Sequence, residues 1–190
     1  DICLQVSQDK SIVEQKVMRL ETYQEEQKTY NLVVNDTHNY FANNILVHNK
    51  ICRFCFTYDT MITLSDGTYQ KICKVRPGDM IKTYNEDTGK LQNSKVLETV
   101  KILHDNIVKY KFDNNTIIET TDNHPFYVVD EGYKAPLQIG DVVLNDEMNK
   151  LTLVNIEVDK KQQITYNINS TDNGKNYFAN KVLVSDESDT

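Results

Sequence analysis

The chain has 190 residues, 39% of them hydrophobic, which is enough for one packed domain and an appendage. A formal net charge of −7 argues against nucleic acid or an anionic membrane as the main partner, since both need a basic face. No apolar run approaches the roughly 20 residues that span a bilayer.

The chain opens on Asp1 rather than Met, as expected of a piece of a longer polypeptide. Residues 8–28, "QDKSIVEQKVMRLETYQEEQK", are polar with scattered apolar positions and read as helical or mixed. From Thr29 the text turns β-rich: "TYNLVV" and "NILV" lie on either side of a polar turn at Asn35-Asp36-Thr37. Hairpins follow around Asp66-Gly67, Asn85–Gly89, Asp113–Asn115 and Asp130–Gly132, and "DVVLNDEMNKLTLVNIEV" and "TYNINS" add further strands. Residues 56–184 therefore read as an all-β fold of short strands, either a sandwich or a closed form.

Two internal echoes stand out. "VRPGDMI" at 75–81 and "LQIGDVV" at 137–143 share a Gly-Asp turn leading into a strand, as in a body built from two related halves. "THNYFANNILVHNK" at 37–50 and "GKNYFANKVLVSDE" at 174–187 align without a gap, but only the first copy ends in His48-Asn49.

The chemistry-bearing residues begin at Cys55 in "CFTYDTMITLSDG", the head of the β-rich region. Further on, "TTDNHPF" places Thr121 three residues before His124, and Pro125 then blocks regular continuation, so the imidazole is presented from a turn. The cysteines Cys3, Cys52, Cys55 and Cys73 are too few and too scattered for a disulfide framework, which favours a reducing intracellular compartment; the compartment is otherwise unread. Cys52-Arg-Phe-Cys55 matches C-x-x-C, but no second ligand pair and no βαβ context accompany it.

In this order, "CFTYDTMITLSDG", "TTDNHPFYV" and "YNINSTDNGKNYFANKVLV" resemble the Hint domains of inteins and hedgehog proteins, and the bacterial-intein-like group most. The resemblance implies an all-β, horseshoe-shaped fold with pseudo-twofold halves. It implies a single-turnover, autoproteolytic activity with no cofactor and no metal. Cys55 would be the nucleophile on the Phe54 carbonyl, giving a thioester by an N–S acyl shift. His124 would be the general acid for the departing amide, and Thr121 would hydrogen-bond the scissile peptide or the oxyanion. The partners implied are the flanking polypeptide segments in cis, with water, a thiol or an amine as acyl acceptor.

For the C-terminal step the resemblance implies a cyclising Asn with two assisting His residues. The first copy offers His38, His48 and Asn49; the second has Lys175, Ser185 and Asp186 in their places, so its cleavage is expected to be impaired. Lys50 and Glu187 follow the two ends and cannot form an ester, so splicing is not expected.

The domain reading has a C-terminal Hint remnant at 1–49, a spacer at 50–54, a Hint domain at 55–186 and a disordered acidic tail at 187–190. A five-residue spacer reaches at most about 18 Å, enough to join adjacent ends. Residues 1–49 could thus dock onto the body in place of 151–186, although a tethered leftover is the simpler expectation. A degenerate Hint fold serving as an interaction module and a thiol-redox or metal site at Cys52/Cys55 stand as alternatives.

Overall fold

The computed structural model describes residues 2–6, 12–16, 18–19, 39–48 and 54–186. The chain divides into two compact units, Asp1–Ile51 and Cys52–Thr190. Among the described residues no helix is long and apolar enough to cross a membrane.

The first unit holds a four-stranded antiparallel sheet in the order β2-β1-β4-β3, built from β1 (Ile2–Val6), β2 (Ile12–Lys16), β3 (Asn39–Ala42) and β4 (Ile45–His48). The helical or mixed reading of 8–28 is corrected at Ile12–Lys16, which is a strand. Ile12 and Val13 are β-branched, and pairing along Ile2–Val6 overrides a weak helical preference. Apart from Met18 and Arg19, the rest of that stretch lies outside the described residues, as do "TYNLVV", the turn at 35–37 and the tail at 187–190.

The second unit contains β5 (Phe56–Thr57), β6 (Met61–Thr63), β7 (Tyr69–Lys71), β8 (Met80–Asn85), β9 (Lys90–His104), β10 (Ile107–Phe112), β11 (Ile117–Thr121), β12 (Phe126–Val128), β13 (Gly132–Lys134), β14 (Val142–Leu144), β15 (Lys150–Asp159), β16 (Gln163–Thr171), β17 (Asn176–Ala179) and β18 (Val182–Ser185). A 3-10 turn, Ile72–Lys74, interrupts them. The sheet runs β7-β6-β17-β18-β12-β14-β15-β10-β11-β5-β16-β9-β8, with β13 added to β12. Each of the hairpin turns read from the sequence in this unit joins two paired strands. The core is apolar and aromatic, with Phe56, Ile62, Tyr110, Phe112, Phe126, Leu153, Ile168 and Tyr177 among its buried members.

The Gly-Asp echo is a repeat of bonds as well as of letters. Gly78 and Gly140 both sit at φ +99°, where glycine alone is unstrained. Asp79 Oδ2 accepts from the Arg76 N–H at 2.9 Å, and Asp141 Oδ2 accepts from the Gln138 N–H at 2.7 Å. The Gly78 N–H reaches Val96 O at 2.8 Å, and the Gly140 N–H reaches Leu153 O at 2.9 Å. The return bonds match too, from Val96 N to Asp79 O and from Leu153 N to Asp141 O, each 2.9 Å. Each corner thereby bends its chain onto a long strand, β9 or β15, and the two halves of the unit are built alike.

The repeated phrase also folds alike. Asn39 faces His48 and Ala42 faces Ile45 in β3–β4; Asn176 faces Ser185 and Ala179 faces Val182 in β17–β18. Both hairpins turn through two left-handed residues, Asn43-Asn44 and Asn180-Lys181. Their surroundings differ. Phe178 and Leu183 are fully buried, whereas Phe41 and Ile45 of the first hairpin are 44% and 37% exposed. Residues 151–186 supply their own strands to the second unit: β16 pairs with β5 beside Cys55, and β18 pairs with β12. The exchange in which residues 1–49 take that place is therefore not the arrangement in this structure.

Candidate active site

Cys55 lies at the mouth of β5, fully buried, and is a thiol rather than half of a disulfide. Its backbone is clamped by the end of β11. The Cys55 N–H donates to Thr121 Oγ1 at 3.0 Å. Cys55 O accepts from the Thr121 N–H at 2.9 Å and from the Thr120 hydroxyl at 2.8 Å. The Phe54–Cys55 amide nitrogen is thus tied to one side chain, and the following carbonyl to two donors. Two adjacent hydroxyl residues do this because β11 ends there: the ladder pairs Thr120 with Phe56, and Thr121 turns inward.

The β11–β12 turn carries His124. Its N–H closes on Thr121 O at 3.3 Å, and the side chain is almost wholly buried. The imidazole lies between the residues flanking Cys55, 4.9 Å from the Phe54 ring and 4.0 Å from the Phe56 ring, centroid to centroid. Nδ1 is 3.3 Å from Pro125 O, which can only accept, so the neutral ring carries its proton on Nδ1. Burial pushes the imidazole from its usual value down to about 3; the Pro125 carbonyl and the Asn167 carboxamide offset this only in part. His124 is therefore neutral at pH 7.

The C-terminal end of the unit meets the same turn. Pro125 O also accepts from the Ser185 N–H at 3.1 Å, and β18 pairs Val184 with Phe126. Asp186, 1% exposed, donates its N–H to Lys175 O at 2.8 Å. The Ser185 hydroxyl donates to Asp186 O, the carbonyl that precedes Glu187, at 2.8 Å. Nearby, Tyr133 donates to Glu86 at 2.9 Å, and burial followed by the Glu86 carboxylate pushes its phenol well above the usual range.

The structure thus brings Phe54, Cys55, Thr121 and His124 together, with Ser185 joined to the same turn through Pro125 and Asp186 next to it in the chain. His38 and Asn49 lie outside the described residues, and His48 is the last residue of β4. Three participants escape a sequence reading: Thr120, which holds the Cys55 carbonyl, and the buried pair Asn167 and Tyr177. The doubled threonine was the visible sign of the first. His104 is a packing residue, with Nδ1 at 2.7 Å from Thr165 Oγ1. Among the described residues no group of three or more His, Cys, Asp or Glu side chains is arranged to hold a metal ion.

Two like halves closing on one buried cysteine, a Thr-x-x-His turn and the C-terminal strand define a Hint-type domain. The model of the pretoxin HINT domain matches residues 61–186, and the chain belongs to that family. The match begins after Cys55, so the position of Cys55 beside Thr121 and His124 rests on the geometry above. A bacterial intein-like domain from Clostridium thermocellum, solved in solution, is 28% identical with a TM-score of 0.65, over 70% of this chain and 98% of that one. The crystal structure of a DnaB intein from Synechocystis sp. PCC 6803 is 20% identical with a TM-score of 0.62, over 70% and 98%. No curated protein sequence matches the chain. The second unit accordingly has the all-β, horseshoe-shaped Hint fold with pseudo-twofold halves.

Proposed function

We propose that the protein is a single-turnover self-cleaving domain that breaks the Phe54–Cys55 bond in cis through a thioester. The observation that carries this reading is the Cys55 N–H donated to Thr121 Oγ1 at 3.0 Å within a buried site that holds His124. A thiol of ordinary pKa is only a few per cent ionised at neutral pH, so attack needs a base. Neutral His124 takes the Cys55 thiol proton; Sγ then bonds to the Phe54 carbonyl carbon. The imidazolium so formed returns that proton to the Cys55 nitrogen as the C–N bond breaks. The products are a Phe54 thioester and a free amine. Thr121 Oγ1 accepts from that nitrogen throughout and binds it more strongly as it gains positive charge. The general-acid role expected of His124 is thereby the second half of a base-then-acid cycle, because burial leaves no proton on Nε2 at rest.

Water, a thiol or an amine then takes the acyl group. The pretoxin of the family's name suggests a toxin precursor as the flanking polypeptide. At the other end, the Ser185 hydroxyl polarises the Asp186 carbonyl less than an imidazolium would, and Asp186 lacks the amide nitrogen that closes a succinimide. C-terminal cleavage there is slow, and splicing does not occur. Residues 1–49 are the remnant of a preceding Hint module, 50–54 a spacer, and His38, His48 and Asn49 would release it at Asn49–Lys50.

The test is intact mass against time for residues 1–190 after dithiothreitol is added. Loss of residues 1–54, absent in Cys55→Ala and slowed about 10²-fold or more in His124→Ala, is expected. A chain that stays whole under reducing conditions contradicts the reading and favours the degenerate module, which the Ser185-Asp186 ending supports.

A further inference from the structure

The described strands of the first unit repeat the end of the second. The antiparallel pair β1–β2 corresponds to β14–β15, and the hairpin β3–β4 corresponds to β17–β18. The joins between the pairs correspond too. Gln5 pairs with Ile45, the residue opposite Ala42; Asn145 bridges Val182, the residue opposite Ala179. The letters agree along the stretch: "DICLQ" at 1–5 matches "DVVLN" at 141–145, and Thr-Tyr-Asn occurs at 29–31 and 165–167. Residues 1–49 are thus a copy of 141–186, and among the described residues nothing in the first unit corresponds to β5–β13.

In the second unit those front strands cover the hairpin. β17 gives its outer edge to β6, with Ala179 facing Ile62. Asn180 fastens that edge: its N–H donates to Met61 O at 2.7 Å, its Oδ1 accepts from the Met61 N–H at 2.7 Å, and its Nδ2 donates to Ile117 O at 2.8 Å. Phe178 and Leu183 pack with Tyr84 of β8 and Tyr127 of β12. The first hairpin has the fastenings without the cover. β3 is the end strand of its sheet, and its outer edge pairs with none of the described strands. Asn43 holds the same left-handed backbone as Asn180, φ +50° against +43°, and is exposed. Phe41, the counterpart of Phe178, is exposed as well. An open edge carrying an uncovered aromatic is a template for one more strand.

We propose that the first unit is a docking module for the front part of a Hint-type domain, supplied as a separate polypeptide equivalent to residues 55–140, which adds a β6-like strand to β3 and covers Phe41. The second unit names the occupant, because there the same hairpin is seated against that partner. Main-chain bonds from the added strand supply affinity, and its alternate side chains supply the fit. Docking also completes a site at the His48-Asn49 end, so the cut at Asn49–Lys50 waits for the partner. In that step Asn49 Nδ2 bonds to its own carbonyl carbon, the C–N bond to Lys50 breaks, and an Nδ2 proton passes to the Lys50 nitrogen. The cut rests on the cleavage proposed for the first copy; the docking does not.

The test uses the full chain carrying Cys55→Ala, which silences its own N-terminal step, with a polypeptide of residues 55–140 as the probe. The expected results are one-to-one binding, slowed amide hydrogen exchange in 39–48, and then fragments 1–49 and 50–190 by mass. Asn43→Ala and Phe41→Asp are expected to weaken binding about tenfold or more. Asn49→Ala is expected to bind as the parent does and to stay whole. If the probe does not stay soluble by itself, the same residues are fused ahead of Asp1, so that Asp1 follows Gly140 as Asp141 does, and exchange and mass are read again. Unslowed exchange in 39–48 in both the mixture and the fusion overturns the proposal. So does binding that Asn43→Ala and Phe41→Asp leave unchanged, or pairing of two full chains through these residues without the probe. Slowed exchange with no cut after Asn49 leaves the docking standing and sinks the cleavage reading of the first copy.

Discussion

Thr121 does two things with one residue: its N–H holds the Cys55 carbonyl, and its hydroxyl holds the scissile nitrogen. Only the second depends on the side chain. Thr121→Val should therefore preserve β11 and its pairing while slowing thioester formation about 10²-fold or more, and Thr121→Ser should stay within about tenfold of the parent. Equal rates in the two variants, measured by mass against time, would show that the hydroxyl is not used. His124 makes a different prediction, about stability. Its folded-state value of about 3 lies below the ordinary value of 6.5, so the unfolded chain binds a proton that the native state does not. Its contribution is complete above about pH 6.5 and is lost as pH falls toward about 3. Between about pH 6.5 and about pH 5 the loss is about 1.5 to 2 kcal/mol. In a Cys55→Ala background, His124→Gln should flatten that limb of the urea-unfolding free energy, and an unchanged limb would contradict the buried neutral ring. Cys55, Thr121 and His124 could be proposed from the sequence because they stand in stretches that resemble the family's motifs, with Thr121 and His124 three residues apart at one turn. Asn167 and Tyr177 could not, because they reach the site by strand pairing and burial, which no local spacing encodes.

The corners and hairpins are the elements on which this placement depends. Asp79 Oδ2 also accepts from the Gln70 side chain at 3.1 Å, and Asp141 also takes Lys134 Nζ at 2.8 Å, so each corner Asp serves a backbone and a side-chain donor. Asp79→Ala and Asp141→Ala should each cost about 1 to 3 kcal/mol, by comparable amounts. Urea midpoints check this; a large cost at one corner and none at the other would break the equivalence of the halves. The Gly-Asp echo was legible because a tight turn needs particular residues at fixed offsets. The partner strands, β9 at Val96 and β15 at Leu153, were not, because register is settled by long-range burial. The same reason explains Ile12–Lys16, where a local preference for helix yields to pairing with β1.

At the scale of the whole molecule, the repeated phrase is one hairpin written twice with different endings. Its fold was legible, and so was the difference in residues between His48-Asn49 and Ser185-Asp186. That residues 151–186 complete the second unit themselves was the simpler expectation from the sequence, although either copy has the letters to do so. If the endings set the activity, then Lys175→His, Ser185→His and Asp186→Asn together should bring on cleavage after residue 186, seen as loss of residues 187–190 by mass. A triple variant as inert there as the parent would place the defect elsewhere. The central claim is the thioester at Phe54, and hydroxylamine tests it most directly. Added to the freshly reduced protein, it should release a fragment ending in Phe54 as the hydroxamate, together with a body beginning at Cys55, and Cys55→Ala should give neither. A body that begins elsewhere, or a Phe54 fragment that never carries the hydroxamate, would contradict the account.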